Sequence, residues 1–253
     1  MFWLAHLTDL HLFDDPAQRL RGVCTEETFD RVLATVVSRQ PDALVLTGDL
    51  TQDGGAIAYA RLRAKLQATG IPAYCLPGNH DSPEAMEQHL RGEGVFLQGT
   101  GWGSWQLVLL DSTVPGQVGG CLSPSTLDFL RRSLAEGPWA VVALHHPACA
   151  VGTDWMDVLG LVNAADFWQV CQGQAATRLV LQGHAHQAFE TEHIWPTHTV
   201  TCCVTPSTCV QFRPCTSTLE VDSHGPAYRW LGLGNNGEIC HEVRYLEGGK
   251  NTP

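Results

Sequence analysis

The run Ala43-Leu44-Val45-Leu46-Thr47 ends in Gly48-Asp49. A short uncharged stretch bounded by Pro41-Asp42 on one side and glycine on the other reads as a strand buried on both faces. The carboxylate then falls on a turn at the carboxyl end of that strand. Outward from it the pattern recurs. Upstream, the apolar run from Phe2 to Leu7 is followed by Asp9-Leu10-His11. Downstream, Pro72 to Leu76 is followed by Gly78-Asn79-His80-Asp81. Later strands over Val141–Leu144 and Leu179–Leu181 are followed by His145-His146-Pro147 and Gly183-His184-Ala185-His186.

Helical segments separate these strands. Phe29, Val32, Leu33, Val36 and Val37 recur at i, i+3, i+4, i+7 and i+8, the spacing of one helix face. Thr25 is the expected N-cap and Pro41 the stop. Ile57 to Thr69 reads as a second helix closed by Gly70. Ser82-Pro83-Glu84 and Ser123-Pro124 each open another, with Ser as cap and Pro at the first helical position. Gln106–Leu110 reads as a further strand. From about residue 188 the chain turns rich in Thr, Val and Cys, a composition expected of antiparallel strands. Alternation of strands and helices predicts a layered α/β fold with a largely parallel core, and in such sheets ligands bind at the carboxyl ends of the strands.

The 253 residues suit one domain, read here as 1–253, because no Pro/Ser/Gly-rich or charged linker and no internal repeat divides them. The formal charge is −11, from 15 basic and 26 acidic residues, and the basic ones are scattered. That argues against a nucleic acid polymer as partner and for a small anion held by local positive charge, which bound metal ions can supply. No segment reads as a signal peptide or a membrane span. The ten cysteines contain no C-x-x-C pair, so the expected setting is cytoplasmic with reduced thiols, each read as a small buried hydrophobe.

The five turns carry Asp, Asn and His but no Cys. That donor set suits divalent Mn, Fe or Zn at a two-metal site and not a closed thiolate zinc site. Five such turns on one sheet edge would converge. One D-x-H or H-x-H alone is ordinarily a polar loop; the ordered set is what carries the reading. No G-x-S-x-G elbow and no G-x-x-x-x-G-K loop is present, which argues against a serine hydrolase and an ATPase.

The order D-x-H, G-D, G-N-H-D, H-x-P, G-H-x-H resembles that of the calcineurin-like metallophosphoesterases. Thr47 to Asp53, Leu76 to Asp81 and Thr205-Pro206-Ser207-Thr208-Cys209-Val210-Gln211-Phe212 further resemble the bacterial class III 3′,5′-cyclic AMP phosphodiesterases. The resemblance implies a four-layered α/β/β/α sandwich with the metal site at the strands' carboxyl ends, the strands from about 188 completing the second sheet. It implies two divalent ions, one held by Asp9, His11 and His186, the other by Asn79, His145 and His184, with Asp49 bridging. It implies hydrolysis of a 3′,5′-cyclic nucleotide, cyclic AMP to 5′-AMP, by a hydroxide between the ions, with His80 assisting the leaving oxygen. His146 and Trp155 are substrate-side candidates, Trp155 as an aromatic wall for a base. The alternatives are a glycerophosphodiester or broad phosphodiester hydrolase of the same superfamily and a non-catalytic scaffold; a double-strand-break nuclease would need a basic DNA path. Two departures stand out: Ala148-Cys149 where a second proline often follows His-His-Pro, and Cys24 where a polar residue is common. Asp53, Asp81 and Asp111 read as orienting or capping groups, and His6, His89, His193, His198, His224 and His241 as surface or satisfied core histidines.

Overall fold

A computed structural model of the chain describes residues 1–135, 137 and 139–247; the tail of the 1–253 domain beyond 247 lies outside them. The strands are β1 (Phe2–Leu7), β2 (Arg19–Leu20), β3 (Val23–Cys24), β4 (Ala43–Thr47), β5 (Ala73–Leu76), β6 (Val95–Phe96), β7 (Thr100–Trp102), β8 (Trp105–Leu109), β9 (Trp139–Ala143), β10 (Thr177–Gln182), β11 (Phe189–Ile194), β12 (Thr199–Val204), β13 (Ala227–Leu233) and β14 (Ile239–Tyr245). The helices are α1 (Thr25–Ser38), α2 (Ala56–Ala68), α3 (Pro83–Ala85, continuing as a wider π-type turn over Met86–Leu90), α4 (Pro124–Ala135), α5 (Asp154–Asp157) and α6 (Ala164–Gln172).

Two six-stranded sheets form, in the orders β14-β13-β1-β4-β5-β6 and β11-β12-β10-β9-β8-β7. Their centres are parallel, β1-β4-β5-β6 and β8-β9-β10-β12, while β13, β14, β11 and β7 pair antiparallel at the margins. The strands look uniformly apolar because both faces are covered. On β4, Leu44 and Leu46 face α1 and α2 with Phe29, Val32 and Leu62. Ala43 and Val45 face inward with Leu4, Val141, Leu179 and Leu231 between the sheets. On the far side Leu130, Leu134, Phe167 and Val170 of α4 and α6 pack on Val142 and Val180. The layering is therefore α/β/β/α.

Two expectations need correction. The strands after 188 do not all complete the second sheet: β11 and β12 do, but β13 and β14 join the first sheet beside β1, and β12 runs parallel to β10. Every residue of β13 is buried, with Tyr228 and Trp230 under the first helical layer and Leu231 and Leu233 between the sheets, so it fills an interior place beside β1. Thr25 is not the N-cap of α1; Cys24 is, without a side-chain bond. The Thr25 hydroxyl instead donates to the His11 carbonyl at 2.9 Å.

A polar seam joins the two sheets where the strands end. His6 of β1 lies buried between the hydroxyls of Thr47 and Thr205, 2.7 Å from each. Arg229 of β13, 1% exposed, donates to the carbonyls of Val204 and Phe189 and to the Thr205 hydroxyl. Burial, aided by the Arg229 charge, lowers the His6 pKa to about 3. The unfolded imidazole has an ordinary pKa near 6.5, so the folded state binds fewer protons below that pH. Its contribution to stability is present above 6.5 and lost as pH falls toward 3, at up to about 1.4 kcal/mol per pH unit. Urea unfolding between pH 4 and 6.5 should therefore show a shallower loss of stability with acid in His6→Gln than in the wild type; equal slopes count against a neutral His6.

Candidate metal centre

The site is built first by the backbone. Asp9, His11, Asp49, His184 and His186 have φ of 54, 49, 48, 67 and 51°. Left-handed backbone costs a side-chain-bearing residue about 1 kcal/mol or more. Five of the eight non-glycine residues that adopt it among those described lie in these motifs. The turns are pinned to one another: Asp9 N–H donates to Gly48 O at 3.0 Å, His11 N–H to Asp49 O at 2.8 Å, and Gly183 N–H to His145 O at 3.0 Å. Gly48, at φ 90°, lies so close to the neighbouring turns that a Cβ would sit 2.6 Å from both Gly78 N and His145 Nδ1. The turns come from both sheets, not one edge as expected: those after β1, β4 and β5 from the first, those after β9 and β10 from the second.

Seven donor atoms converge. His11 Nε2 is 3.1 Å from His186 Nε2 and 3.7 Å from Asp49 Oδ2, and His186 Nε2 is 3.5 Å from Asp9 Oδ1. Beside them, His145 Nε2 lies 3.2 Å from Asn79 Oδ1, 3.2 Å from His184 Nδ1 and 3.4 Å from Asp49 Oδ2. One atom, Asp49 Oδ2, belongs to both groups. Donors bound at 2.0–2.2 Å to a common ion stand roughly 3.0–3.6 Å apart, the spacing seen in both except for the slightly wider His11–Asp49 pair.

The tautomers decide how these atoms meet. His145 Nδ1 donates to Thr47 O at 2.7 Å and His186 Nδ1 to Val210 O at 2.6 Å, and carbonyls can only accept. His11 Nδ1 is 2.9 Å from Gln52 Oε1. In the neutral rings the Nε2 atoms therefore present lone pairs. Lone pairs facing one another at 3.1–3.2 Å repel unless a cation or proton lies between them. Asp9 and Asp49, 0% and 2% exposed, have no Arg or Lys partner among the described residues. Burial works to raise both carboxyl pKa values, but the adjoining histidines win, His186 for Asp9 and His145 for Asp49. Asp9 falls to about 2 and Asp49 well below its usual range. Burial opposes charge on His145, yet Asp49 and Asp9 raise it to about 9. Both pockets thus call for positive charge, and the donor set fits divalent ions.

Asp81 holds the site from behind. Its carboxylate accepts from Leu50 N–H, Thr51 N–H and hydroxyl, Gly78 N–H and the Tyr59 hydroxyl, tying the Gly48-Asp49 turn to the Gly78-Asn79 turn. Burial and the Asp49 charge still push it up to about 6. Asp53 is exposed, and Asp111 receives only Thr113. His80 faces a cavity of about 300 Å³ over the donors. Its main-chain N–H donates to Asp49 Oδ1 and its Nδ1 to Gln52 O at 2.9 Å, leaving Nε2 for the cavity. Trp155 lines that cavity, edge-on to Phe212 at 5.7 Å. His146 does not. It is fully buried, accepts from the Ser112 hydroxyl at 2.8 Å and donates Nε2–H to Val118 O at 2.9 Å, so both nitrogens are committed to the loop above. Cys24 is also buried, away from the cavity wall, with its thiol on Pro16 O. A larger cavity of about 530 Å³ lies at the strands' amino ends near Trp139 and Ala176, and no ionisable side chain lines it.

Sequence reasoning missed two supports. Gln52 touches both His11 and His80 through its side chain; only its place three residues after Asp49 hinted at this. The Pro206–Phe212 segment, noticed but given no chemical role, is a buttress. The Ser207 hydroxyl and Cys209 thiol donate to Asp9 O, Val210 O orients His186, and the Phe212 ring stacks on His186 at 4.3 Å and 11°.

A sequence model of the calcineurin-like phosphoesterases matches residues 2–188. The chain belongs to that family. A 3′,5′-cyclic adenosine monophosphate phosphodiesterase, CpdA, of Pseudomonas aeruginosa is 36% identical over 93% of this chain and 87% of its own. The CpdA of Escherichia coli K12 is 35% identical over 96% and 89%, and a 3′,5′-cyclic-nucleotide phosphodiesterase of Nostoc is 36% identical over 92% and 88%. A dimetal phosphatase from Danio rerio shares the fold, with a TM-score of 0.66 at 13% identity over 95% of this chain and 98% of its own. Like its family, the chain is a metal-dependent phosphoesterase.

Gly48→Ala should lower stability by at least about 2 kcal/mol, because the residue is strained at φ 90° and meets backbone that cannot yield. In a chain this size that is a fall of roughly 4–8 °C in Tm, measured in EDTA so that metal loss plays no part; an unchanged Tm would show the close approach is not real.

Proposed function

We propose that the protein hydrolyses a 3′,5′-cyclic nucleotide, cyclic AMP to 5′-AMP, in the cytoplasm, using two divalent ions from among Mn, Fe and Zn. Asp9, His11 and His186 would hold one ion, Asn79, His145 and His184 the other, with Asp49 Oδ2 between them. The observation that carries this is the pair of donor groups sharing Asp49 Oδ2, each with buried N and O donors spaced 3.1–3.7 Å apart. The nucleotide part rests on the relatives that carry that activity in their names and align over most of both chains.

When bound, the ions supply charge that lowers the pKa of water and offsets charge on phosphoryl oxygens. The chain's own residues set the rest. His80 Nε2 faces the cavity and gives its proton to O3′ as the P–O3′ bond breaks and water oxygen joins phosphorus; one water proton stays on the new phosphate oxygen, and the other is released to solvent, from which Nε2 takes a proton back. Gln52 O accepts from His80 Nδ1 throughout, which fixes the ring. Trp155 and Phe212 give the nucleoside end an apolar wall. Among the described residues no helix is long and apolar enough to cross a membrane, the ten cysteines are free thiols, and the charge of −11 disfavours a nucleic acid polymer. These support a soluble enzyme acting on a small anion.

After loading with Mn²⁺, elemental analysis should give two ions per chain. Cyclic AMP should be turned over with a kcat/KM at least tenfold above that for p-nitrophenyl phosphate. Cleavage of a glycerophosphodiester but not cyclic AMP would move the assignment to that substrate class. His80→Ala should keep both ions and lower kcat by about 10²- to 10⁴-fold; loss of an ion in this variant would make His80 a ligand instead.

A further inference from the structure

The loop that leaves the site after His145-His146-Pro147 carries Cys149, at the place where the sequence departs from the family's second proline. Its sulfur lies 3.5 Å from that of Cys202, which is fully buried on β12. Among the described residues no other two thiols touch; Cys121, Cys215 and Cys240, the other cysteines that are not buried, have no thiol partner. Cys149 is half-buried and reachable from solvent, and Cys202 lies beneath it. Both thiols address one acceptor, Gln182 Oε1, at 3.9 and 3.1 Å, and the Gln182 side-chain amide donates to the His146 carbonyl at 3.4 Å. The pair is therefore wired through Gln182 to the loop that carries His145. The Ala148 carbonyl between them is held by Trp168 Nε1–H at 2.6 Å.

We infer that Cys149 and Cys202 form an oxidation site for hydroperoxides, at which a reversible disulfide draws the His145–Cys149 loop toward β12 and lowers turnover. Cys149 is the attacking sulfur. Its S–O bond forms as the peroxide O–O bond breaks, leaving a sulfenic acid and the alcohol or water. The Cys202 sulfur then attacks Cys149 sulfur, the S–O bond breaks, and hydroxide departs with the Cys202 proton as water. The balance is two thiols and one hydroperoxide to one disulfide, one alcohol (or water) and one water, two electrons passing from sulfur to peroxide oxygen. The roles follow from exposure and from the thiol–thiol contact. Contact with the Cys202 sulfur holds the Cys149 thiol below its ordinary pKa despite partial burial, and the same contact with burial raises that of Cys202. Closing from 3.5 Å to the roughly 2.05 Å of a disulfide takes a shift of about 1.5 Å. Cys202 sits in a central strand of its sheet, so the loop is the part that moves. Both thiols lost to Gln182 Oε1 in the disulfide would free that side chain, and with it the His146 carbonyl.

The test treats the intact, metal-loaded protein with a few equivalents of hydrogen peroxide, then maps non-reduced peptides by mass spectrometry and follows turnover of bis(p-nitrophenyl) phosphate. A Cys149–Cys202 crosslink is expected, with kcat/KM down at least fivefold and restored by dithiothreitol. Cys149→Ser and Cys202→Ser should each abolish both the crosslink and the dithiothreitol-reversible part of the loss. No crosslink between these two residues overturns the site. A crosslink with unchanged kcat/KM, or the same reversible loss in Cys149→Ser, overturns the effect on turnover. That effect rests on the phosphodiesterase reading and the crosslink does not. A protein that crosslinks but shows no phosphodiester turnover before oxidation strikes that reading and leaves the dithiol site standing.

Discussion

Two carboxylates without a cationic side chain govern this molecule. Asp9 and Asp49 are buried at the junction of the two sheets, and no Lys or Arg approaches them among the described residues. An ionised carboxylate in such a place costs several kcal/mol unless it is paired. The chain surrounds them instead with four imidazoles and an amide whose free electron pairs point inward. The carbonyls of Thr47 and Val210 pin two of those rings and Gln52 a third, so that each shows a lone pair to the centre. The supports are thus designed for a bound cation and are self-repelling without one. The elevated pKa of His145 expresses the same demand, a proton standing where greater charge belongs.

That demand explains why backbone strain is concentrated here. Five side chains must be turned across the edge within two to four residues of a strand's end. Glycine would make such turns freely but supplies no donor, so Asp9, His11, Asp49, His184 and His186 take left-handed φ themselves. The cost is borne by the packing behind them: uninterrupted apolar strands on both sides, Asp81 with its five donors bracing two turns, and the Ser207–Phe212 segment bracing Asp9 and His186. Binding energy from ions then adds to a frame already held in shape.

The donors were legible in the sequence because each stands at a fixed, short distance from an apolar run, and strand ends are local features. The helix over Phe29–Val37 and the one opened by Ser123-Pro124 were legible because periodicity and capping are local as well. What was not legible depends on pairs far apart in the chain. Ser207 meets Asp9 across 198 residues and His186 meets His11 across 175. No periodicity announces that β13 will lie beside β1, since a strand buried on both faces reads alike in either sheet. His146 looked like a candidate for the substrate side because it adjoins His145. In an extended turn neighbouring side chains point apart, and this one points into the loop over Ser112 and Val118. Thr25 went the same way, its hydroxyl drawn off by His11 O, which local capping rules cannot foresee.

The division of labour between frame and loops follows from where each residue sits. The donors lie at 0–6% exposure wherever they are Asp or His, on turns locked by backbone hydrogen bonds between strands. The cavity wall above them comes from other parts of the chain: Leu20 and Arg21 on the β2–β3 hairpin, Val118 on the loop held by His146, Trp155 on the short α5, Leu219 beyond the buttress. Arg21, Val118 and Leu219 are at least partly exposed, and none of the wall residues named here shares a hydrogen bond with a donor side chain. Changes there alter what fits over the site and leave the charge balance beneath it intact. The fold itself recurs at 13% identity in a dimetal phosphatase. The departures at Cys24 and Cys149 obey the same rule: neither touches a donor, and Cys149 reaches the site only through Gln182 and the His146 carbonyl.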